Sequence, residues 1–384
     1  MKEKLFQTID ALNDEYVKMW EDICNIESPW NCKEGVDKVG EYFIRHANER
    51  GWKVDVFEQE LVGNVVAITM NADVDAAPIA FSGHMDTVHE LGSFGYPPVK
   101  VDRENDMIYG PGVTDCKSGI VEAFLVMEAL RLVGYRKRPV VTYLQSDEES
   151  SGKLSKDATI NHICEVAQGS VAFFNLEGGA PGQVCIGRKG IVSFEFTVKG
   201  IEAHSAGCAT RGANAILEAA HKIIELEKFK DPKGLTCCCA VIKGGTKHNI
   251  VPGECKFVAN VRFAKMSELE EFITFAETLC KDIKVPGCTC EMVIPRVRPA
   301  MEMCDRNIDL VNKMNEIWRE NGLEELNPVT NSGGSDAANV SAAGIPAVDS
   351  MGPFGGKIHT PEEFGIISSL AEQAKRLAIV AYEL

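Results

Sequence analysis

The sequence predicts an α/β fold interrupted by a small inserted α+β unit. Three observations carry that expectation. Short apolar strands alternate with amphipathic helices up to about residue 186, the texture changes after Gly187, and helix–strand alternation returns by Arg296. The expected division is residues 1–186 with 295–384 for the α/β part, and 187–294 for the insertion.

Taken in order, Leu5, Ile9, Leu12, Val17, Trp20 and Ile23 recur at helical spacing, and a second helix is predicted from about Val36 to Glu49, ahead of Gly51. Strands follow at Lys53–Phe57, Asn64–Met70 and Ile79–Ser82. A helix over Ser118–Leu132 separates them from strands at Pro139–Gln145 and Val171–Leu176, the alternation of a largely parallel sheet. Within the insertion, Val192, Phe194, Phe196 and Val198 alternate, as a half-exposed antiparallel strand requires. A helix at Ala213–Lys228, strands at Leu235–Ile242 and Cys255–Phe263, a helix at Ser267–Ile283 and a strand at Cys290–Ile294 complete a β-α-β-β-α-β, ferredoxin-like order. Helices near Ile308–Asn321, Asp336–Ala343 and Glu363–Tyr382 close the chain.

With 384 residues, 45% of them hydrophobic and 25% charged, the chain can bury a sizeable core. Its formal net charge of −16 repels phosphate backbones, and no basic patch offsets it, so nucleic acid is not an expected partner. The residues from Met1 to Phe6 lead into no apolar signal-peptide run, and no stretch is long and apolar enough to span a membrane. The 14 cysteines are scattered, with Cys237, Cys238 and Cys239 consecutive and no paired C-x-x-C knuckles. They read as reduced thiols of a cytoplasmic protein.

Polar residues crowd where strands end, which is where open α/β sheets place their sites. His84-Met85-Asp86-Thr87-Val88 follows one strand, Ser146-Asp147-Glu148-Glu149 a second, and Glu177-Gly178-Gly179 a third. His84 and Asp86 are two apart, so the carboxylate is placed to orient the imidazole. The turn Gly110-Pro111-Gly112-Val113-Thr114-Asp115 opens a helix, and on its own it is an ordinary helix cap. It lacks the P-loop lysine pattern, which argues against a nucleotide binder. Lys357-Ile358-His359-Thr360-Pro361 precedes the last helix. Two histidines with several carboxylates at loop ends suit a pair of metal ions bound through N and O.

In this order, G-H-x-D-T-V, G-P-G-x-x-D-x-K-x-G, D-E-E, E-G, G-G-S-D-A and H-T-P-E-E resemble the dimetal exopeptidases. That family includes bacterial glutamate carboxypeptidase, peptidase T, aminoacylase, acetylornithine deacetylase and succinyl-diaminopimelate desuccinylase, and the first is nearest in texture. The resemblance implies a phosphorylase/hydrolase-like zinc-exopeptidase catalytic domain carrying a ferredoxin-like dimerisation (lid) domain. It implies two zinc ions per chain, with cobalt or manganese as substitutes. His84 and Glu177 would hold one ion, Glu149 and His359 the other, with Asp115 bridging. Glu148 would be the general base and Asp86 the partner of His84. His204 would reach a neighbouring subunit's site across a homodimer and help hold the oxyanion.

Arg262 would clamp a substrate carboxylate, with Asn249, Gly334, Ser335 and Arg298 also on the substrate side. Cys116 departs from the Met or Asp that relatives often carry beside the bridging aspartate. The expected substrate is a peptide or N-acyl amino acid with a free carboxylate. Deacylation of an acetylornithine- or succinyl-diaminopimelate-type intermediate is the same-chemistry alternative, and a catalytically inactive binding protein the alternative of another class.

Overall fold

In the computed structural model, which describes residues 1–384, six strands form the main sheet. Their order is Lys53–Phe57, Val65–Met70, Val140–Gln145, Ile79–His84, Ala172–Asn175 and Ala347–Val348. The first three pair antiparallel, whereas the last four run parallel. The parallel strands are buried along their whole length, because helices lie on the sheet's faces. Helices Lys2–Cys24, Lys117–Leu132 and Ile367–Glu383 pack on one another around Trp20, Phe124 and Leu377. The indole of Trp20 is fully buried and donates to the Val113 carbonyl at 3.0 Å, tying the first helix to the loop that leads into Asp115.

A second sheet of this unit was invisible to sequence reasoning. It runs Lys100–Asp102, Met107–Tyr109, Phe364–Ile366, Gly352–Gly356 and Gly178–Gly179. Its strands are two to five residues long, and three of them carry glycine, so none is long enough to show apolar alternation. Pairing of Phe364–Ile366 with Met107–Tyr109 also delays the last helix, which begins at Ile367 instead of the expected Glu363. The helix Ala158–Val166 was likewise not anticipated.

Chain contacts divide the molecule into Met1–Ile186, Met303–Thr330 and Ser335–Leu384 on one side, and Gly187–Glu302 with Asn331–Gly334 on the other. The latter unit has the strand order Thr236–Gly244, Glu254–Phe263, Gly190–Lys199, Thr289–Val293, with every neighbour antiparallel. Helices Ala215–Leu226 and Met266–Lys281 complete its β-α-β-β-α-β order. Val192, Phe194, Phe196 and Val198 all point into its core, against Phe257 and Phe272. The outer strand Thr236–Gly244 leaves Val241 and Ile242 about half exposed.

His46 gives the first unit a pH dependence. Burial, and then the nearby Arg50 charge, lower its pKa from the usual 6.5 to about 4. Tyr16, Trp52 and Phe124 surround the ring. The unfolded chain therefore binds a proton here that the folded chain refuses, so stability falls as pH drops from about 6.5 toward 4. The urea midpoint is expected to be lower near pH 5 than near pH 7, and His46→Gln should flatten that difference. An unchanged difference in the variant would remove His46 as its source.

Candidate metal centre

Each expected ligand arrives on the carboxyl end of a parallel strand or on the loops beside it. His84 closes Ile79–His84, Glu148 and Glu149 follow Val140–Gln145, and Glu177 follows Ala172–Asn175. Asp115 stands just ahead of helix Lys117–Leu132, and its peptide bond to Cys116 is cis. Gly119 explains the glycine of D-x-K-x-G: a Cβ there would lie 2.0 Å from the Leu176 carbonyl oxygen. Only glycine lets this helix approach the strand end that carries Glu177. Lys117 is fully buried and donates to the Ile23 and Ile26 carbonyls at 3.3 and 2.7 Å, anchoring the same turn to the end of the first helix.

Five side chains converge. Asp115 divides its carboxylate between two histidines, Oδ1 lying 3.0 Å from His84 Nε2 and Oδ2 3.0 Å from His359 Nε2. Beyond them Glu177 Oε1 is 3.7 Å from His84 Nε2, and Glu149 Oε2 is 3.6 Å from His359 Nε2. His359 takes a left-handed backbone, φ 61°, a conformation that non-glycine residues adopt at a cost of about 1–3 kcal/mol. That cost sits where the imidazole must be aimed at Asp115.

Electrostatics point the same way. Burial pushes the Glu149 carboxyl up to about 10 and that of Glu177 to about 7, with Asp115 and Glu148 adding negative charge nearby. Asp115 is held well below the usual carboxylate range, because hydrogen bonds from His359 and His84 outweigh its burial. Glu149 Oε1 is buried without a hydrogen-bond partner. Two imidazoles and three carboxylates in one cluster, one carboxylate oxygen unsatisfied, form the donor set that hard or borderline divalent ions bind. The residues present therefore fit a dinuclear metal group.

Asp86 adjoins His84, and it has a second role that the sequence did not predict. Its backbone oxygen lies 2.8 Å from His84 Nδ1, while the nearest carboxylate oxygen is at 3.5 Å. The carboxylate also accepts the backbone N–H groups of Glu148 and Glu149 at 3.3 and 2.9 Å. The strand stops at His84, so the period-two geometry no longer applies beyond it. Asp86 thus braces the loop that presents Glu148. Cys116 is fully buried, accepts the His84 N–H at 3.0 Å, and its thiol pKa is pushed well up by burial. Such a thiol is a packing group with low reactivity.

The remaining residues fall elsewhere. Ser335 is buried at the carboxyl end of strand Ala172–Asn175, its hydroxyl accepting from Asn175 Nδ2 at 2.9 Å. In the second unit, Arg262, Arg298 and Gly334 lie together. Burial and the Arg298 charge lower the Arg262 pKa. A Cβ at 334 would stand 2.7 Å from the Arg298 guanidinium, so a side chain there would displace the end of Arg298. His204 and Asn249 are exposed on a ribbon that pairs Ala203–His204 with Ile250–Val251.

Fold and site together define a hydrolase with a candidate dinuclear metal centre. The chain belongs to peptidase family M20/M25/M40, whose model matches residues 80–383. It is 24% identical over 385 residues to carboxypeptidase G2 of a Pseudomonas species, covering 99% of this chain and 92% of that one. It is 26% identical over 337 residues to succinyl-diaminopimelate desuccinylase of Nitrosospira multiformis, covering 80% and 83% respectively. Its fold is similar to that of aminopeptidase PepT from Bacillus cereus, with a TM-score of 0.76 at 20% identity over 97% and 98% of the two chains. No helix is long and apolar enough to cross a membrane.

Proposed function

We propose that this hydrolase is a two-zinc, carboxypeptidase-like enzyme that cuts an amide bond beside a free carboxylate, in a peptide or an N-acyl amino acid. One observation carries the reading: Asp115 offers one oxygen to each of two histidines, and each histidine has its own outer carboxylate. Bound zinc ions supply Lewis acidity and make water a better nucleophile at neutral pH. Glu148, buried at the mouth of the ligand loops and held by Asp86 through its backbone, takes the proton of the attacking water and passes it to the leaving nitrogen. Arg262 and Arg298 hold the substrate carboxylate, since two neighbouring guanidinium groups favour an anion between them.

An N-acyl-amino-acid deacylase of the acetylornithine or succinyl-diaminopimelate type is the second reading, favoured by the similarity to desuccinylases. A binding protein without activity is disfavoured, because Glu148 and all five ligand candidates are present. Residues 187–294 act as the lid and dimerisation domain, and the enzyme works in the cytoplasm, in keeping with its free cysteines. The half-exposed Val241 and Ile242 on the outer strand, with Ile216 of the adjoining helix also exposed, offer an apolar sheet edge that a two-fold partner covers.

Elemental analysis of protein purified without chelator is expected to approach two metal equivalents per chain. Chelator-treated protein should lose turnover and regain it with zinc, cobalt or manganese. Full-rate hydrolysis by a metal-free preparation would overturn the reading. Screening the loaded enzyme against N-acyl amino acids and di- and tripeptides, with released amine as the readout, separates the peptidase from the deacylase.

A further inference from the structure

We propose that Glu363, braced by His89, is a positioning residue that locks the bridging carboxylate Asp115 between its two histidines; this rests on the two-metal reading above. Glu363 is wholly buried and follows His359 on the same loop. Its Oε1 accepts the backbone N–H groups of Thr114 and Asp115 at 2.8 and 3.0 Å. Its Oε2 accepts the N–H of Gly112 at 3.3 Å and lies 2.6 Å from His89 Nε2. A carboxylate only accepts, so His89 presents Nε2–H to it, and the four donors satisfy both oxygens of a charge that would otherwise be costly to bury.

The connection is specific to the metal loops. His89 comes from the segment that begins at His84, and its ring packs edge-on against Phe94, 4.8 Å between centroids. Two carbonyls of the same loop reinforce the tie, the Thr114 hydroxyl donating to that of Phe364 at 2.6 Å and the Gly110 N–H to that of Glu363 at 3.4 Å. One side chain thus joins the loops of His84, Asp115 and His359 without facing the ligand cluster itself. Because the Asp115 N–H is among its donors, a shift of Glu363 rotates the Asp115 peptide and moves both of its carboxylate oxygens off their histidines. Hydrogen-bond partners behind metal ligands are typically worth 10–100-fold in metal affinity.

The test compares cobalt titrations of the metal-free wild type, Glu363→Asp and Glu363→Gln, following the d–d absorption and the heat of binding. Aspartate is one methylene short and cannot reach both the Thr114–Asp115 pair and His89. It should weaken the less tightly held cobalt by roughly 10–100-fold, alter the d–d spectrum, and lower kcat with KM nearly unchanged. Glutamine keeps the length and one oxygen for Thr114 and Asp115, and His89 can change tautomer to accept its amide, so only the longer Gly112 N–H contact is lost and most of the affinity should return. Wild-type affinity and spectrum in Glu363→Asp would overturn the proposal. A wild type that does not take up two cobalt ions would instead overturn the two-metal reading. Where Glu363→Asp does not fold, His89→Phe decides: it is expected to change the cobalt spectrum in the same sense, and an unchanged spectrum and affinity rule the strut out.

Discussion

Replacing Glu148 by Gln should leave both metal ions bound and lower kcat by about 10²–10⁴-fold, the usual scale for loss of a general base. The geometry separates Glu148 from its neighbour. Glu149 Oε2 lies 3.6 Å from His359 Nε2, and its Oε1 is buried without a partner, as a ligand oxygen aimed at an ion would be. The Glu148 backbone is fixed by the Asp86 carboxylate, so glutamine can take the same position while losing the ability to accept a proton. Metal content, the cobalt spectrum and KM should therefore stay close to wild type. Loss of one metal equivalent in Glu148→Gln would mean that the two adjacent glutamates have exchanged roles.

The second large effect is expected at His204. The backbone N–H of Ala206 donates to His204 Nδ1 at 3.2 Å, which leaves the ring proton on Nε2, facing outward from an exposed turn. A neutral imidazole held in that tautomer is a ready donor for an oxyanion. Removing one such donor usually costs about 10²–10³ in kcat. His204→Ala should accordingly fold and bind metal yet lose most turnover. If the residue serves the partner subunit, mixing His204→Ala chains with Glu148→Gln chains restores one intact composite site per mixed dimer. Activity should then recover toward half of wild type per mixed dimer. Mixtures that exchange subunits without recovering activity would place His204 in its own chain's site or outside catalysis.

Much of this molecule was legible in the chain. Alternation at Val192, Phe194, Phe196 and Val198, and continuous apolar runs at Ile79–Ser82 and Val140–Leu144, identify their strands because burial on one face or two imposes those patterns. The ligand types are equally local, since His84, Glu149 and Glu177 each sit at or just past the end of a strand that an apolar run reveals. Less was visible where backbone hydrogen bonds, without an apolar face, decide the structure. The strands Gly352–Gly356 and Phe364–Ile366 carry no pattern, yet they set the path of the His359 loop.

By itself, then, the sequence determined the fold class, the order of those elements that bear an apolar pattern, and the kinds of atoms available to a metal pair. These depend on side-chain chemistry and on periods of two and 3.6 residues, which a stretch with an apolar face displays locally. Only the tertiary structure decided that Asp115 divides its oxygens between His84 and His359, that Asp86 holds the Glu148–Glu149 backbone, and that Glu363 closes on the Asp115 loop. Each is a contact between residues far apart in the chain, and its hydrogen-bond geometry exists only after the parallel strands have brought their carboxyl ends side by side.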